Sequence, residues 1–143
     1  VTIVTIDDHA DLRRLYRLAF EGSPLRVVGE APDGRLGVEV VRQTQPDLVL
    51  LDLSMPDMDG LETLIELRAA APKARVVVLS GFTSHRLGPV VAELGAVDYI
   101  EKGVRPAELM ARLLDSMRLP LPGPEAPTTV RLRELRARLH DLV

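Results

Sequence analysis

Leu48–Leu51 is an unbroken apolar run that ends on a carboxylate, Asp52, and no other stretch constrains the chain as strongly. A run without polar alternation fits a strand buried on both faces, as in a parallel sheet with helices above and below. A carboxylate buried unpaired after it costs several kcal/mol, so Asp52 belongs at the strand's end, near partners or a cation. Met55–Gly60 (MPDMDG) then reads as a loop. Pro56 cannot donate to a ladder, and Gly60 is expected to relieve backbone strain before the next helix. In open α/β sheets, ligands bind beyond the carboxyl ends of the strands. Asp52 stands at such an end.

The rest of the chain supplies the sheet. Thr2–Ile6 predicts a first strand, closed by Asp7-Asp8-His9, and Asp11–Glu21 has the helical spacing of Leu12, Leu15, Tyr16, Ala19 and Phe20. Leu25–Glu30 predicts a strand and Gly34–Gln45 a helix. Leu61–Ala71 predicts a helix ended by Pro72, and Ala74–Ser80 a strand. Gly81–Leu87 is loop-like, Pro89–Leu94 a short helix stopped by Gly95, and Ala96–Glu101 a strand. Pro106–Arg118 is a helix with Pro early in it, as helix starts prefer. Five strands alternating with five helices imply an α/β fold with a doubly wound parallel sheet. The flavodoxin-like order 2-1-3-4-5 is expected, with a site where strands one and three diverge. The domain is expected to span 1–118, followed by a Pro-rich semi-rigid linker at 119–127 and an amphipathic helix at 128–143.

Composition narrows the function. Across 143 residues, 18 Lys+Arg face 21 Asp+Glu, and no chain-wide basic field argues for nucleic-acid contact by these residues. Cysteine is absent, which excludes disulfides, thiolate chemistry and sulfur-ligated zinc. No apolar stretch is long enough to span a membrane and the start has no signal-peptide pattern, so no membrane role and a cytoplasmic location are expected. The first residue, Val1, falls directly on a strand-like run and reads as a trimmed start.

The predicted topology brings Asp7, Asp8 and Asp52 to one edge. Three crowded carboxylates repel unless a cation sits among them. Oxygen ligands of this kind suit Mg²⁺ or Mn²⁺. Lys102 ends strand five at the same edge, and a Lys and a divalent cation flanking a carboxylate make a place for a phosphoryl group. Ser80, ending strand four, can donate its hydroxyl to a phosphoryl oxygen. The roles read from the residues are Asp52 as nucleophile, Asp7 and Asp8 as metal ligands, Lys102 as counter-charge and Ser80 as phosphate sensor. Singly each has a plainer meaning: Asp-Asp is also a turn or cap signal, a strand-end Lys is often solvated, and Ser80 alone says little. The argument is the joint pattern at the ends of strands one, three, four and five.

With those residues in place, 1–118 resembles a response-regulator receiver domain of bacterial two-component signalling. The resemblance is carried by IDDH at Ile6–His9, LLDLSMPDMDG at Leu50–Gly60, VVLSG at Val77–Gly81 and GAVDYIEKG at Gly95–Gly103. DDHADLRRL and VVGEAPDG are most similar to receivers of the NarL/FixJ class. The resemblance implies that Asp52 accepts phosphate from a sensor histidine kinase. It implies that Asp8, Asp52 and the Ser54 carbonyl bind Mg²⁺ directly, with Asp7 acting partly through water. It also implies that Ser80 and Tyr99 move together and reshape the face made by the fourth helix, fifth strand and fifth helix. Tyr99 can equally be plain core.

The chain departs from the pattern in two places. Gly103 stands where most relatives carry Pro after the lysine, so no cis-proline is expected there. Gly88-Pro89 falls where the fourth helix usually begins, so that helix is expected to start late and be short. Of the remaining residues, His9 reads as a loop or cap residue beside the site, and Phe82 as a shield of the phosphate or a cover for the loop. Met55 and Met58 read as packing.

Three functions compete. One is a phosphorylation-controlled binding module. Another is the receiver of a DNA-binding transcription regulator whose helix-turn-helix lies elsewhere. The third, an Asp-nucleophile phosphatase, needs a second Asp two positions after the first, whereas Leu53-Ser54 follow Asp52. The tail has its own expectation. Leu132, Leu135, Leu139 and Leu142 form one stripe, Glu134 precedes Arg138 by four residues, and a helix of this length is marginal alone. Its stripe needs a partner helix, expected to come from a second copy in a homodimer, with docking on its own domain as the alternative.

Overall fold

In the computed structural model, the described residues are 1–53, 60–81, 87–123 and 127–142; for Leu87 and 139–142 only the backbone is described. The order is β1 (Thr2–Ile6), α1 (Ala10–Phe20), β2 (Arg26–Ala31), α2 (Gly34–Thr44), β3 (Leu48–Asp52), α3 (Gly60–Ala70), β4 (Arg75–Ser80), α4 (Leu87–Glu93), β5 (Ala96–Glu101), α5 (Pro106–Ser116) and α6 (Thr129–Leu142). The sheet runs β2-β1-β3-β4-β5, with every pairing parallel.

The period-2 geometry of a strand divides each apolar run between two cores. Val4, Ile6, Val49, Leu51, Val76 and Val78 face α2, α3 and α4, where Val38, Val41, Leu61, Leu64, Leu67, Val90 and Val91 pack on them. Ile3, Leu48, Leu50, Val77 and Leu79 face α1 and α5, meeting Tyr16, Phe20, Leu109 and Leu113. All five residues of β3 are buried, as its lack of alternation predicts. The layer under α2 is tight: a Cβ on Gly37 of α2 would run into the Ile6 side chain. That close approach explains a residue that otherwise weakens a helix by roughly 0.5–1 kcal/mol.

Helix ends differ from the sequence reading in physical detail. Gly60 opens α3 as a buried helical residue rather than serving as a strain-relieving turn before it. The fourth helix begins at Leu87, two residues before the expected Pro89, and is seven residues long. Pro89 therefore sits in the first turn, where its missing N–H has no intrahelical acceptor to lose. Gly88, without a Cβ, reduces the clash that usually drives the residue before proline out of helical geometry. Gly103 has φ +100°, a backbone conformation closed to proline.

The tail docks on its own domain, the alternative to pairing with a second copy. Helix α6 packs against α4 of its own chain. Leu135 is fully buried in the core that includes Val90, Val91 and Leu94, and Leu132 packs at its edge. Arg131 forks onto Glu93 of α4, Nε to Oε1 at 2.7 Å and Nη2 to Oε2 at 2.6 Å. Arg136 reaches Glu62 of α3 at 2.7 Å. Glu134 takes Arg131 at 2.8 Å. The described part of the linker does not project outward. Arg68 donates to the carbonyls of Pro122 and Gly123, and Arg75 to that of Leu119. Leu139 and Leu142, the rest of the predicted stripe, lie outside the described side chains. No helix among the described residues is long and apolar enough to cross a membrane.

Candidate functional site

Parallel strands share one carboxyl edge, and register brings the site together there. Asp52 closes β3 opposite Leu79, and Ser80 closes β4 opposite Glu101. Lys102 follows β5, its backbone N–H donating to the Ser80 carbonyl at 2.7 Å. Asp7 follows β1, its N–H donating to the Ala31 carbonyl at 3.0 Å.

The Lys102 Nζ lies 2.8 Å from Asp52 Oδ2, with the carboxylate side chain only 1% exposed. Asp7 is equally buried. Its Oδ1 accepts the His9 backbone N–H at 2.9 Å, while Oδ2 is buried with no hydrogen-bond partner. Burial foremost, and then the nearby Asp52 charge, raise the Asp7 carboxyl above its ordinary range, against the lowering pull of the His9 N–H. Asp8 is exposed. His9 Nδ1 stands 2.9 Å from Asp8 Oδ1 and 3.2 Å from Asp7 Oδ1. One ligand atom from each of Asp7, Asp8, His9 and Asp52 falls within 4.8 Å of the others. Three carboxylates, one of them with an orphaned buried oxygen, are a donor set that fits a divalent cation, and the Lys102 ammonium offsets part of their charge.

Beside this cluster Tyr99 is half-buried and hydrogen-bonded to Ser80. Burial first, then Glu101, raise its phenol, and the Ser80 bond lowers it. Arg112 of α5 holds the strand behind it, bonding both Asp98 oxygens and the Tyr99 carbonyl. A cavity of about 180 Å³ opens next to Lys102, lined by Leu12, Tyr16, Leu79, Val104 and Leu109 between α1 and α5. Its tyrosine, Tyr16, has its hydroxyl pKa raised by burial and by the Asp7 and Asp52 charges.

Asp7, Asp8, Asp52, Ser80 and Lys102 thus meet at one edge, with Tyr99 next to Ser80. The Ser54 carbonyl, the loop residues Met55 and Met58, and Phe82 fall outside the described residues. Sequence reasoning missed two features. His9 does occupy the N-cap position of α1, yet its side chain makes no cap hydrogen bond and its ring turns to the acidic pair instead. Arg13 donates to the Asp7 carbonyl. A backbone acceptor leaves no mark in a sequence, so only the His9-Ala10-Asp11-Leu12-Arg13 helical turn spacing hinted at it.

The Asp7 geometry has a stability consequence. Folded Asp7 holds its proton more tightly than the unfolded chain does. Its stabilising contribution is complete below the unfolded value of 3.8 and is lost as pH rises through the higher folded value. Asp7→Asn removes that loss. In thermal melts with chelator it is expected to be about 1 kcal/mol more stable than the parent at neutral pH, the order of an uncompensated buried acceptor, and to show no such gain in acid. Equal melting at neutral pH would contradict this.

The response regulator receiver domain model matches residues 3–114. The nitrate/nitrite response regulator protein NarL of Escherichia coli K12 is 40% identical over 138 residues, covering 95% of this chain and 63% of that protein. The uncharacterized transcriptional regulatory protein YhcZ of Bacillus subtilis is 36% identical over 109 residues, covering 76% of this chain and 51% of its own length. This chain therefore spans less than two thirds of either relative. The receiver domain of the response regulator NarL from Mycobacterium tuberculosis superposes with a TM-score of 0.74 at 31% identity, covering 82% of this chain and 96% of that one. The five-stranded order, the acidic edge and the family match agree, and the chain belongs to the response regulator receiver domain family.

Proposed function

We propose that Asp52 accepts a phosphoryl group from the phosphohistidine of a sensor histidine kinase. The observation that carries this reading is the buried Asp52 carboxylate, 2.8 Å from the Lys102 ammonium, beside the partnerless oxygen of Asp7. In the transfer an Asp52 oxygen attacks phosphorus in line. The donor's P–N bond breaks, its electron pair stays on the imidazole nitrogen, and an acyl phosphate remains on Asp52. Such a step needs positioning and charge neutralisation more than covalent help. Lys102 supplies one positive charge to the phosphoryl oxygens. Asp7, Asp8 and Asp52 would hold Mg²⁺ or Mn²⁺, with the Ser54 carbonyl as the further ligand expected from the family. Bound there, the ion neutralises the same oxygens.

Ser80 takes a phosphoryl oxygen with its hydroxyl, exchanging its bond to Tyr99 for a new arrangement of both side chains. Because Arg112 ties Tyr99 to α5, that exchange is felt across the face of α4, β5 and α5. The chain turns over no separate substrate and catalyses only its own phosphorylation and dephosphorylation, in the cytoplasm, where the kinase domain works. In this reading 1–118 is the switch, 119–127 the connector and 128–143 the link to an output. One observation favours a further reading, that the output is DNA binding: YhcZ, about twice the matched length, is described as an uncharacterized transcriptional regulatory protein.

Incubation with Mg²⁺ and acetyl phosphate, followed by intact-mass measurement and peptide mapping, is expected to find one phosphate, on Asp52. Phosphate mapped to Ser54 or Ser80 overturns the assignment.

A further inference from the structure

We infer that the cavity between α1 and α5 is a binding site for a small neutral ring compound carrying one carbonyl oxygen, which the Tyr16 hydroxyl holds. Size and lining set the first half of this. The cavity measures about 180 Å³, and a dry apolar cavity of about 150 Å³ takes benzene. Leu12, Leu79, Val104 and Leu109 give it apolar walls. Gly103 puts no side chain at its edge, and a Cβ there would meet nothing within 4 Å. Water is a poor occupant, because it needs about two to four polar partners and these walls offer few.

Tyr16 sets the second half. The residue is 7% exposed. Its hydroxyl makes no hydrogen bond among the described residues, although a buried tyrosine hydroxyl normally has a partner. Burial first, and then the Asp7 and Asp52 charges, raise the phenol, so it stays protonated and is available as a donor. The same two carboxylates oppose a second anion beside the hydroxyl. Lys102, the cationic wall, opposes a cation. A neutral acceptor is the remaining match. Lys102 Nζ also lies 2.8 Å from Asp52 Oδ2, so an occupant abuts the group that pairs with the phosphoacceptor.

The test titrates the full chain with acetophenone, toluene and benzoate in the parent, Tyr16→Phe, Val104→Phe and Leu12→Phe. Methyl NMR signals of Leu12, Leu79, Val104 and Leu109 are followed, with the exposed Leu18 and Leu36 as controls. In the parent, acetophenone is expected to shift the cavity methyls ahead of the controls and to bind about tenfold or more tighter than benzoate. Tyr16→Phe is expected to weaken acetophenone about 2- to 10-fold, the scale of one hydrogen bond, and to leave toluene unchanged. Val104→Phe and Leu12→Phe fill the cavity and are expected to weaken both neutral ligands by about tenfold or more. The second filling variant serves if the first does not melt cooperatively. Shifts no larger at the cavity than at Leu18 and Leu36 overturn the inference, as does benzoate binding as tightly as acetophenone. Unchanged acetophenone affinity in Tyr16→Phe, or an equal loss of acetophenone and toluene there, overturns it too. So does undiminished binding in a folded filling variant.

Discussion

Asp52→Asn abolishes phosphate incorporation from acetyl phosphate, and Lys102→Ala slows it by about 10²–10³-fold, the usual consequence of deleting one preorganised charge from a transition state. The two changes act differently. Asparagine keeps the shape of Asp52 at the end of β3 but has no anionic oxygen to attack phosphorus. Lys102 lies 22% exposed, so losing its carboxylate partner leaves it partly hydrated. Lys102→Ala leaves a carboxylate that is 1% exposed with its ammonium removed. Breaking a buried pair from one side typically costs about 3–5 kcal/mol, so this variant is also expected to melt lower than Asp52→Asn. Lysine loss is further expected to uncouple phosphorylation from the rearrangement of Ser80 and Tyr99. The chain has two tyrosines and no tryptophan, so tyrosine fluorescence in a Tyr16→Phe background reports Tyr99 alone. Phosphorylated Lys102→Ala giving the parental fluorescence change would refute the coupling, and phosphate uptake by Asp52→Asn at the parental rate would refute the acceptor.

Leu135→Asp undocks the tail. Truncating a buried leucine costs about 2–5 kcal/mol, and a charge at the same place costs more. The remaining contacts cannot hold the helix. Arg131–Glu93 and Arg136–Glu62 are solvent-exposed pairs, which contribute little and are screened by salt. The Arg131 bond does lower the Glu93 carboxyl, so that support is present above the ordinary glutamate range and fades as pH falls through the lowered value. Once undocked, a 14-residue helix is marginal in water, so the helical ellipticity of α6 goes with the contact. Cleavage by a protease in 119–128 is expected to rise about tenfold or more, since opening then costs at least roughly 1.4 kcal/mol less. Arg131→Ala is the milder control and is expected to raise cleavage only slightly at low salt. Leu135→Asp cleaved as slowly as the parent would show that the helix is held by something other than Leu135.

The sequence by itself determined the layered α/β fold and most of the candidate site. Unbroken runs such as Leu48–Leu51 call for strands buried on both faces, and crossovers long enough for helices force those strands parallel. Parallel strands put every carboxyl end on one edge. Asp7, Asp8, Asp52, Ser80 and Lys102 could therefore be brought together from their strand-end positions alone. Tertiary structure decided what depended on unlike partners far apart in the chain. A leucine stripe on α6 shows that the helix needs an apolar surface, but the spacing is the same whether that surface is a second copy or Val90, Val91 and Leu94 of its own domain. The choice fell to contacts with no sequence signature, the carbonyls of Leu119, Pro122 and Gly123 that Arg75 and Arg68 hold against the receiver. Helix α4 starts at Leu87 because Pro89 can be absorbed in a first turn, a choice open to the backbone and not written in the residue pattern. His9 turned to two carboxylates rather than capping α1, because only the folded edge sets Asp7 and Asp8 within reach of its ring.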